Sequence, residues 1–355
     1  MDGRYSRQEI LPGFGEDAQR RLGEARVLVI GAGGLGSAVI PALAGAGVGT
    51  IGIIDDDVVE LSNLHRQLIH GMADIGVSKA RSAARSVAAL NPEVRVIEIE
   101  ERLVAENALP IFADYDLVID GSDNFPTRYL ADDAATLTVI PLVWGAVSQY
   151  GGQVALSWAE RGPTYRDLFP TPPAPGSVLS CAEGGILPTV CGVIGALMAT
   201  EALKILSGVG APSVGRVTSF DALTGAFREL HFERDPEAEP VEALMDYDAF
   251  CGLAPAISPA DLAARRDEFT LLDVREPWEV ALASLPGALH VPMGELENAI
   301  DQLDRSKPVV VYCHLGIRSA SARALLTSRG FVATHLDGGL DAWSREIDST
   351  VPRYR

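Results

Sequence analysis

The feature that most constrains this chain is an apolar run, VLVI at 27–30, that enters GAGGLG at 31–36 and then a helical pattern opening at Ser37. A strand that turns through glycines into a helix is the start of a βαβ unit, and it predicts a mostly parallel sheet covered by helices. Further apolar runs at 50–54, 94–99, 117–119, 140–144 and 154–158 alternate with longer helical patterns, which supports that fold class. Gly31, Gly33, Gly34 and Gly36 let the backbone approach a phosphate, and the free N–H groups of a helix start favour anions. Asp55 ends the next strand 24 residues past Gly31, where an acid can bind ribose hydroxyls. A nicotinamide-dependent oxidoreductase presents the same residues up to this point.

The residues beyond Asp55 favour a triphosphate. Asn63 and Arg66 in DVVELSNLHRQ and Lys79 in GVSKA place polar and cationic groups just beyond the acidic strand end. Such cations neutralise charge that develops at phosphorus. Asp123 and Asn124, in DGSDN directly after the strand LVID, lie where parallel strands present functional groups, and Asp123 is a candidate Mg²⁺ ligand. Asp57 reads either as a second ribose or metal contact or as a turn residue. His65 and His70 read as structural histidines.

A second α/β rhythm begins after a polar, proline-bearing stretch at 233–250. It comprises LLDV at 271–274, ALHVP at 288–292, VVVY at 309–312 and a helix from Ser319 to about Ser328. The boundaries predicted are a first domain over 1–235, a linker over 236–257 and a small α/β domain over 258–355. TPPAPG at 171–176 reads as a crossing loop inside the first domain. The 355 residues suffice for two cores, since single domains mostly run to about 100–200 residues.

In VVVYCHLGIRSASA a buried-type strand delivers Cys313 to a loop closing at Arg318, with a helix behind it. Loop N–H groups and the helix start then point at the sulfur, where they stabilise a thiolate or persulfide anion, and Arg318 adds a fixed cation. Asp273 and Arg275 read as braces for the fold. Cys313, Cys181, Cys191 and Cys251 are widely spaced with no CxxC pair, which argues against a disulfide framework. Cys191 and Cys251 read as packing residues.

A formal charge of −19 excludes nucleic acid as a natural partner, because phosphate backbones need a basic surface. No apolar signal core stands near the N-terminus. The apolar stretch from Cys191 to Leu206 is broken by Gly192, Gly195, Glu201 and Lys204, short of the roughly 18 apolar residues of a membrane span. A soluble, cytoplasmic chain without membrane contact is expected.

From RYSRQ at 4–8 through GAGGLG, SNLHRQ, SKA, DGSDN, SCAEGGIL at 180–187 and VGRVTSFDA at 214–222, the chain resembles the ThiF/MoeB family of ubiquitin-activating-type adenylyltransferases. That resemblance implies a Rossmann-like fold and ATP-dependent adenylation of the C-terminal glycine of a ubiquitin-fold protein. It assigns Asp55 to ribose, Asn63, Arg66 and Lys79 to phosphates, and Asp123 to Mg²⁺. It also implies a homodimer in which Arg7 reaches the γ-phosphate of the other subunit. Many relatives carry two CxxC pairs for structural zinc. Here those positions read Thr164–Asp167 and Asp248–Cys251, a poor tetrahedral donor set, so structural zinc is predicted absent. Cys181 lies where family members often have a cysteine close to the acyl-adenylate; it reads either as a participant in covalent transfer or as structural.

LLDVREPWE at 271–279, LPGALHVP at 285–292, the Cys313 loop and DGGLDAW at 337–343 resemble a single-domain rhodanese. Four residues separate Cys313 from Arg318, one fewer than in related phosphatases, which favours sulfur transfer. The whole chain is similar to MoeZ-type fusions, including their zinc-less YRDLFP and DYDAFCG segments. The resemblance implies a Gly-Gly sulfur carrier as partner, thiosulfate or a cysteine desulfurase as sulfur donor, and a carrier thiocarboxylate as product. The thiocarboxylate would serve molybdopterin, thiamine, cysteine or tRNA thiolation. A noncatalytic scaffold that only docks ubiquitin-fold partners is the rival from another class.

Overall fold

Runs rich in valine and isoleucine become the centre of an eight-stranded sheet. Its strands are β1 (Arg26–Ile30), β2 (Thr50–Ile54), β3 (Arg95–Ile99), β4 (Leu117–Asp120), β5 (Leu142–Ser148), β6 (Gly151–Ser157), β7 (Arg216–Asp221) and β8 (Ala226–His231). They are ordered β3-β2-β1-β4-β5-β6-β7-β8. The computed structural model describes residues 3–173, 177–178, 184–238, 240–251, 256–300 and 303–354, with Ala249 and Ile317 by backbone alone. The chain divides into two units, Met1–Thr171 with Leu179–Met245, and Pro172–Val178 with Asp246–Arg355.

In the first unit β3 through β5 are parallel, and β6 to β8 add an antiparallel extension. β2 and β4 are buried along their whole length, as is β1 after Arg26, which explains their unbroken apolar composition. Strand order reverses between β1 and β4. In an open α/β sheet such a reversal leaves a crevice beyond the carboxyl ends of the strands. Both GAGGLG, after β1, and DGSDN, after β4, open onto that crevice.

Four helices matter for the site: α1 (Gly36–Ala46), α2 (Lys79–Leu90), α3 (Phe125–Thr138) and α4 (Pro188–Ser207). The stretch expected to fall short of a membrane span forms α4, which on length and composition alone could cross a membrane. Its Val190, Ile194, Met198 and Ala202 are fully buried in the core of the first unit beside Leu35, Val39 and Leu43.

The second unit holds a five-stranded parallel sheet made of β9 (Ala256–Ile257), β10 (Thr270–Asp273), β11 (Leu289–His290), β12 (Val309–Tyr312) and β13 (Ala333–Leu336), in the order β11-β10-β12-β13-β9. Around it lie α5 (Pro277–Leu282), α6 (Ile317–Ser328) and α7 (Gly339–Glu346). Part of the stretch predicted as linker is structured. β9 pairs with β13 through Leu336↔Ile257, and Tyr247 and Cys251 are buried. Two residues carry no readable period, so β9 leaves no sign in the sequence. Of TPPAPG, residues 174–176 lie outside the described residues.

Candidate functional site

The glycine turn is tight for steric reasons. A Cβ on Gly36 would stand 2.1 Å from the Gly31 carbonyl oxygen, and one on Gly34 would stand 2.8 Å from Cys191 Sγ. Cys191 is therefore packing, as predicted, and what it packs against is the turn itself. The Gly31 N–H is used by the Ile54 carbonyl, whereas the N–H groups of Gly33 and Gly34 take no protein acceptor among the described residues. Those two remain available to an anion.

Asp55 braces the same turn. Its Oδ2 accepts from the Ala32 amide at 2.7 Å and its Oδ1 from the Asp57 amide at 2.9 Å. Burial pushes its carboxyl above the ordinary range, against the pull of Lys79 and these two amides. His70 bridges the turn to α2: Nε2 donates to the Ala32 carbonyl at 2.9 Å and Nδ1 accepts from Ser82 Oγ at 2.8 Å. Its burial lowers the imidazole pKa, so the ring stays neutral and structural, as the sequence predicts. His65 is exposed and lies against Arg66.

Lys79 opens α2, where the helix dipole disfavours a cation unless an anion is at hand. Asp57 supplies that anion: its exposed carboxylate takes Lys79 Nζ at 2.7 Å, while the lysine side chain itself is buried. Asp57 thus orients Lys79. Arg66 reaches the Ser62 carbonyl through one terminal nitrogen. Asn63 closes the 3₁₀ turn Leu61–Asn63, its Oδ1 accepting from the Glu60 amide at 3.1 Å.

At the end of β4, Asn124 caps α3 by accepting from the Thr127 amide at 2.9 Å. Asp123 is exposed and has no ion pair among the described residues. Arg7 is likewise exposed on the short helix Ser6–Glu9, with no carboxylate partner among the described residues. Cys181 lies outside the described residues. Among the described residues no three His, Cys, Asp or Glu side chains gather as a metal cluster.

Arg128 was not singled out from sequence. Buried on α3, it contacts Asp120 Oδ2 and donates to the carbonyls of Ser122 and Gly145, tying the end of β4 to the middle of β5. An arginine eight residues after a strand-end acid, with a second acid one helical turn further on at Asp132, is the signal that could have marked it. In the segment 164–167, Arg166 makes a bidentate pair with buried Asp133 at 2.6 and 2.7 Å, and the Tyr165 and Arg166 amides donate to Asp132. Asp167 accepts from the Thr164 and Asp235 amides.

In the second unit β12 delivers Cys313, 1% exposed, to the carboxyl end of its sheet. Cys313 Sγ accepts from the Gly316 amide at 3.2 Å, and Ser319 Oγ stands 3.5 Å away at the start of α6. The motif DGGLDAW supports this cradle from behind: the Leu340 and Asp341 amides donate to the carbonyls of Cys313 and His314. A Cβ on Gly339 would stand 2.5 Å from both of those oxygens, so only glycine lets α7 approach.

Arg318 is held by Glu279, at 2.6 and 2.7 Å through both oxygens. Burial raises the Glu279 carboxyl, but Arg318, the Glu276 amide and Tyr354 outweigh it and hold the group down at about 2. Asp273 and Arg275 form a fully buried bidentate pair, with Nε–Oδ1 at 2.8 Å and Nη2–Oδ2 at 2.5 Å, the bracing role predicted for them. Glu279, Ser319 and Tyr354 were not singled out from sequence. Glu279 does stand in the REPWE motif, four residues past Arg275.

A sheet reversal lined by an anion-ready turn, joined in one chain to a parallel sheet that presents a cradled cysteine, defines an adenylate-forming enzyme with an appended sulfurtransferase. The chain belongs to the ThiF family, which matches residues 5–241, and carries a Rhodanese-like domain over 258–346. It is 43% identical to the probable adenylyltransferase/sulfurtransferase MoeZ of Mycobacterium tuberculosis, over 99% of this chain and 95% of that one. It is 40% identical to the adenylyltransferase and sulfurtransferase MOCS3 of Mus musculus, over 99% and 87%. The sulfur carrier protein adenylyltransferase of Thermus thermophilus is 51% identical over 70% of this chain and 96% of its own. In fold the chain is similar to E. coli MccB, with a TM-score of 0.61 at 21% identity, covering 67% of this chain and 74% of that one. The protein is an adenylyltransferase and sulfurtransferase of ATP-using type.

Proposed function

We propose that this enzyme adenylates the C-terminal glycine of a Gly-Gly sulfur carrier in its first unit and converts the adenylate to a thiocarboxylate with sulfur carried on Cys313. The observation that carries this reading is the cradle at Cys313, whose sulfur accepts from the Gly316 amide and lies 3.5 Å from the Ser319 hydroxyl, which itself donates to the Gly316 carbonyl at 2.9 Å, a polar setting that suits an anionic sulfur.

In the first unit, the free amides of the glycine turn and Lys79, with Arg66 and Asn63, bind the triphosphate, and Asp55 binds the ribose. Asp57 holds Lys79 in place. Asp123 fits Mg²⁺ because it is a hard oxygen donor, exposed at a strand end and without an ion pair among the described residues, and the ion would neutralise phosphate charge there. Asn124 orders the start of α3 behind Asp123. Arg7, exposed and without a carboxylate partner among the described residues, acts on the γ-phosphate of a second subunit in a homodimer. The carrier carboxylate attacks the α-phosphorus, forming an acyl-adenylate and releasing pyrophosphate.

Sulfur transfer then follows on the adenylate. The terminal sulfur of the Cys313 persulfide bonds to the carrier carbonyl carbon, and the carbon–oxygen bond to AMP breaks. A thiol, Cys181 or an external one, cleaves the resulting acyl disulfide, releasing the thiocarboxylate and leaving a mixed disulfide on Cys313. A second thiol equivalent restores Cys313. Thiosulfate or a cysteine desulfurase reloads it, and Arg318 supports the anionic groups that arise. Tethering the two units raises the effective concentration of persulfide at the adenylate.

We also read the enzyme as cytoplasmic, in keeping with Cys313 being held as a thiol rather than in a disulfide. It dispenses with structural zinc, a reading supported by the ion pairs and capped turn that occupy positions 164–167. Metal analysis of the purified protein tests this; one zinc per subunit would contradict it. The main reading is tested by ATP–pyrophosphate exchange. Exchange should require both Mg²⁺ and a carrier ending in Gly-Gly, and exchange without any carrier would contradict it.

A further inference from the structure

The Rhodanese-like match ends at residue 346, yet a residue beyond it is built into the sulfur site. The Tyr354 hydroxyl accepts from Arg275 Nη1 at 2.6 Å and donates to Glu279 Oε1 at 3.0 Å, so it bridges a buried cation and the carboxylate that grips Arg318. Its ring stacks on His314, the residue after Cys313, with centroids 4.1 Å apart and planes inclined by 24°. Trp278 meets the tyrosine ring edge-on at 6.0 Å.

The tail is anchored just ahead of this contact, at Val351 and Arg353. Ser344 Oγ donates to the Val351 carbonyl at 2.7 Å, and Arg353 Nε pairs with Asp341 at 2.6 Å. Asp341 is the residue whose amide holds the His314 carbonyl. A tail doing nothing but covering apolar surface would have no need of a hydroxyl placed between Arg275 and Glu279.

We propose that Tyr354 is a positioning residue for sulfur transfer: it holds Glu279 against Arg318 and closes on His314, which fixes the cradle around Cys313 Sγ. The proposal rests on the reading of Cys313 as the sulfur carrier. Burial, joined by Glu279 and opposed by Arg275, pushes the phenol up to about 12, so the hydroxyl keeps its proton, and its bond to Glu279, throughout the neutral range.

The test uses the full chain and follows sulfur transfer from thiosulfate to cyanide. Tyr354→Phe keeps the ring on His314 and removes only the hydroxyl. Losing a hydrogen bond to a charged group is expected to lower kcat about tenfold. KM for cyanide and ATP–pyrophosphate exchange should stay at wild-type values. Because Tyr354 acts through Glu279, the double variant Tyr354→Phe/Glu279→Gln should be no slower than Glu279→Gln alone. Wild-type kcat in Tyr354→Phe, or additive losses in the double variant, would overturn the proposal. If Glu279→Gln does not fold, Tyr354→Phe decides alone. A Cys313→Ala control separates the two levels: retained transfer there defeats the underlying reading, whereas loss there with a normal Tyr354→Phe defeats only this proposal.

Discussion

The two sites solve opposite problems. Around the glycine turn the groups meant for substrate are left open: the Gly33 and Gly34 amides have no acceptor, and Arg7 and Asp123 are exposed without ion partners, among the described residues. Around Cys313 most groups already engage one another, with the Gly316 amide on the sulfur and the Ser319 hydroxyl beside it, Glu279 on Arg318 and Tyr354 on Glu279, and His314 Nδ1 alone of these is buried without a partner among the described residues. A site that must admit ATP and a protein tail keeps its donors free and relies on packing for shape. A site that handles one sulfur atom is pre-arranged before any substrate arrives, which is the more effective way to stabilise a small anion.

The largest effect should come from splitting the two chemistries. Cys313→Ala is expected to abolish thiocarboxylate formation while leaving ATP–pyrophosphate exchange at wild-type rate; a fall in exchange would show that the sites are not separable.

The reverse separation should be nearly as large. Removing one charge-stabilising group typically costs about 10²–10³ in kcat, so Lys79→Ala or Asp123→Ala should slow exchange by that order. Thiosulfate–cyanide transfer, assayed on the same samples, should not change.

Shape in the open site can be broken without touching charge. Gly34→Ala drives a methyl to within 2.8 Å of Cys191 Sγ. Overpacking of this kind costs about 1–3 kcal/mol, readable as a lowered melting temperature and weaker ATP binding. Adding Cys191→Ala should restore both, and failure to do so would show that Cys191 does not set the shape of the turn.

The smallest effects are in acid. Glu279, held at about 2 against an ordinary 4.5, contributes stability that is complete above pH 4.5 and lost as pH falls toward 2. Asp132 is the reverse case: full burial raises it from 3.8 to about 6, so its contribution is complete below pH 3.8 and lost as pH rises through 6. Hydrogen exchange of peptides spanning each residue should therefore show protection falling in acid around Glu279 and rising around Asp132. Equal trends would contradict the contrast.

Periodic features were legible. The runs at 27–30, 50–54 and 309–312 became β1, β2 and β12 because buried parallel strands need continuous apolar residues, and GAGGLG and DGSDN met at the sheet reversal because both come directly after strands that flank it. What escaped depends on contacts distant in sequence. Glu279 lies 39 residues from the arginine it holds, and Tyr354 lies 75 residues from Glu279. No local pattern encodes such pairs. β9 was missed for a different reason, since two residues are too few to show alternation.

The central claim is that one chain makes the adenylate and supplies the sulfur. Its most direct measurement is the intact mass of a Gly-Gly carrier incubated with the enzyme, ATP, Mg²⁺, thiosulfate and a thiol reductant. The expected product is a carrier in which one oxygen has been exchanged for sulfur, formed by the wild-type enzyme and not by Cys313→Ala. An unchanged mass for every Gly-Gly carrier tried, or the same product from Cys313→Ala, would contradict it.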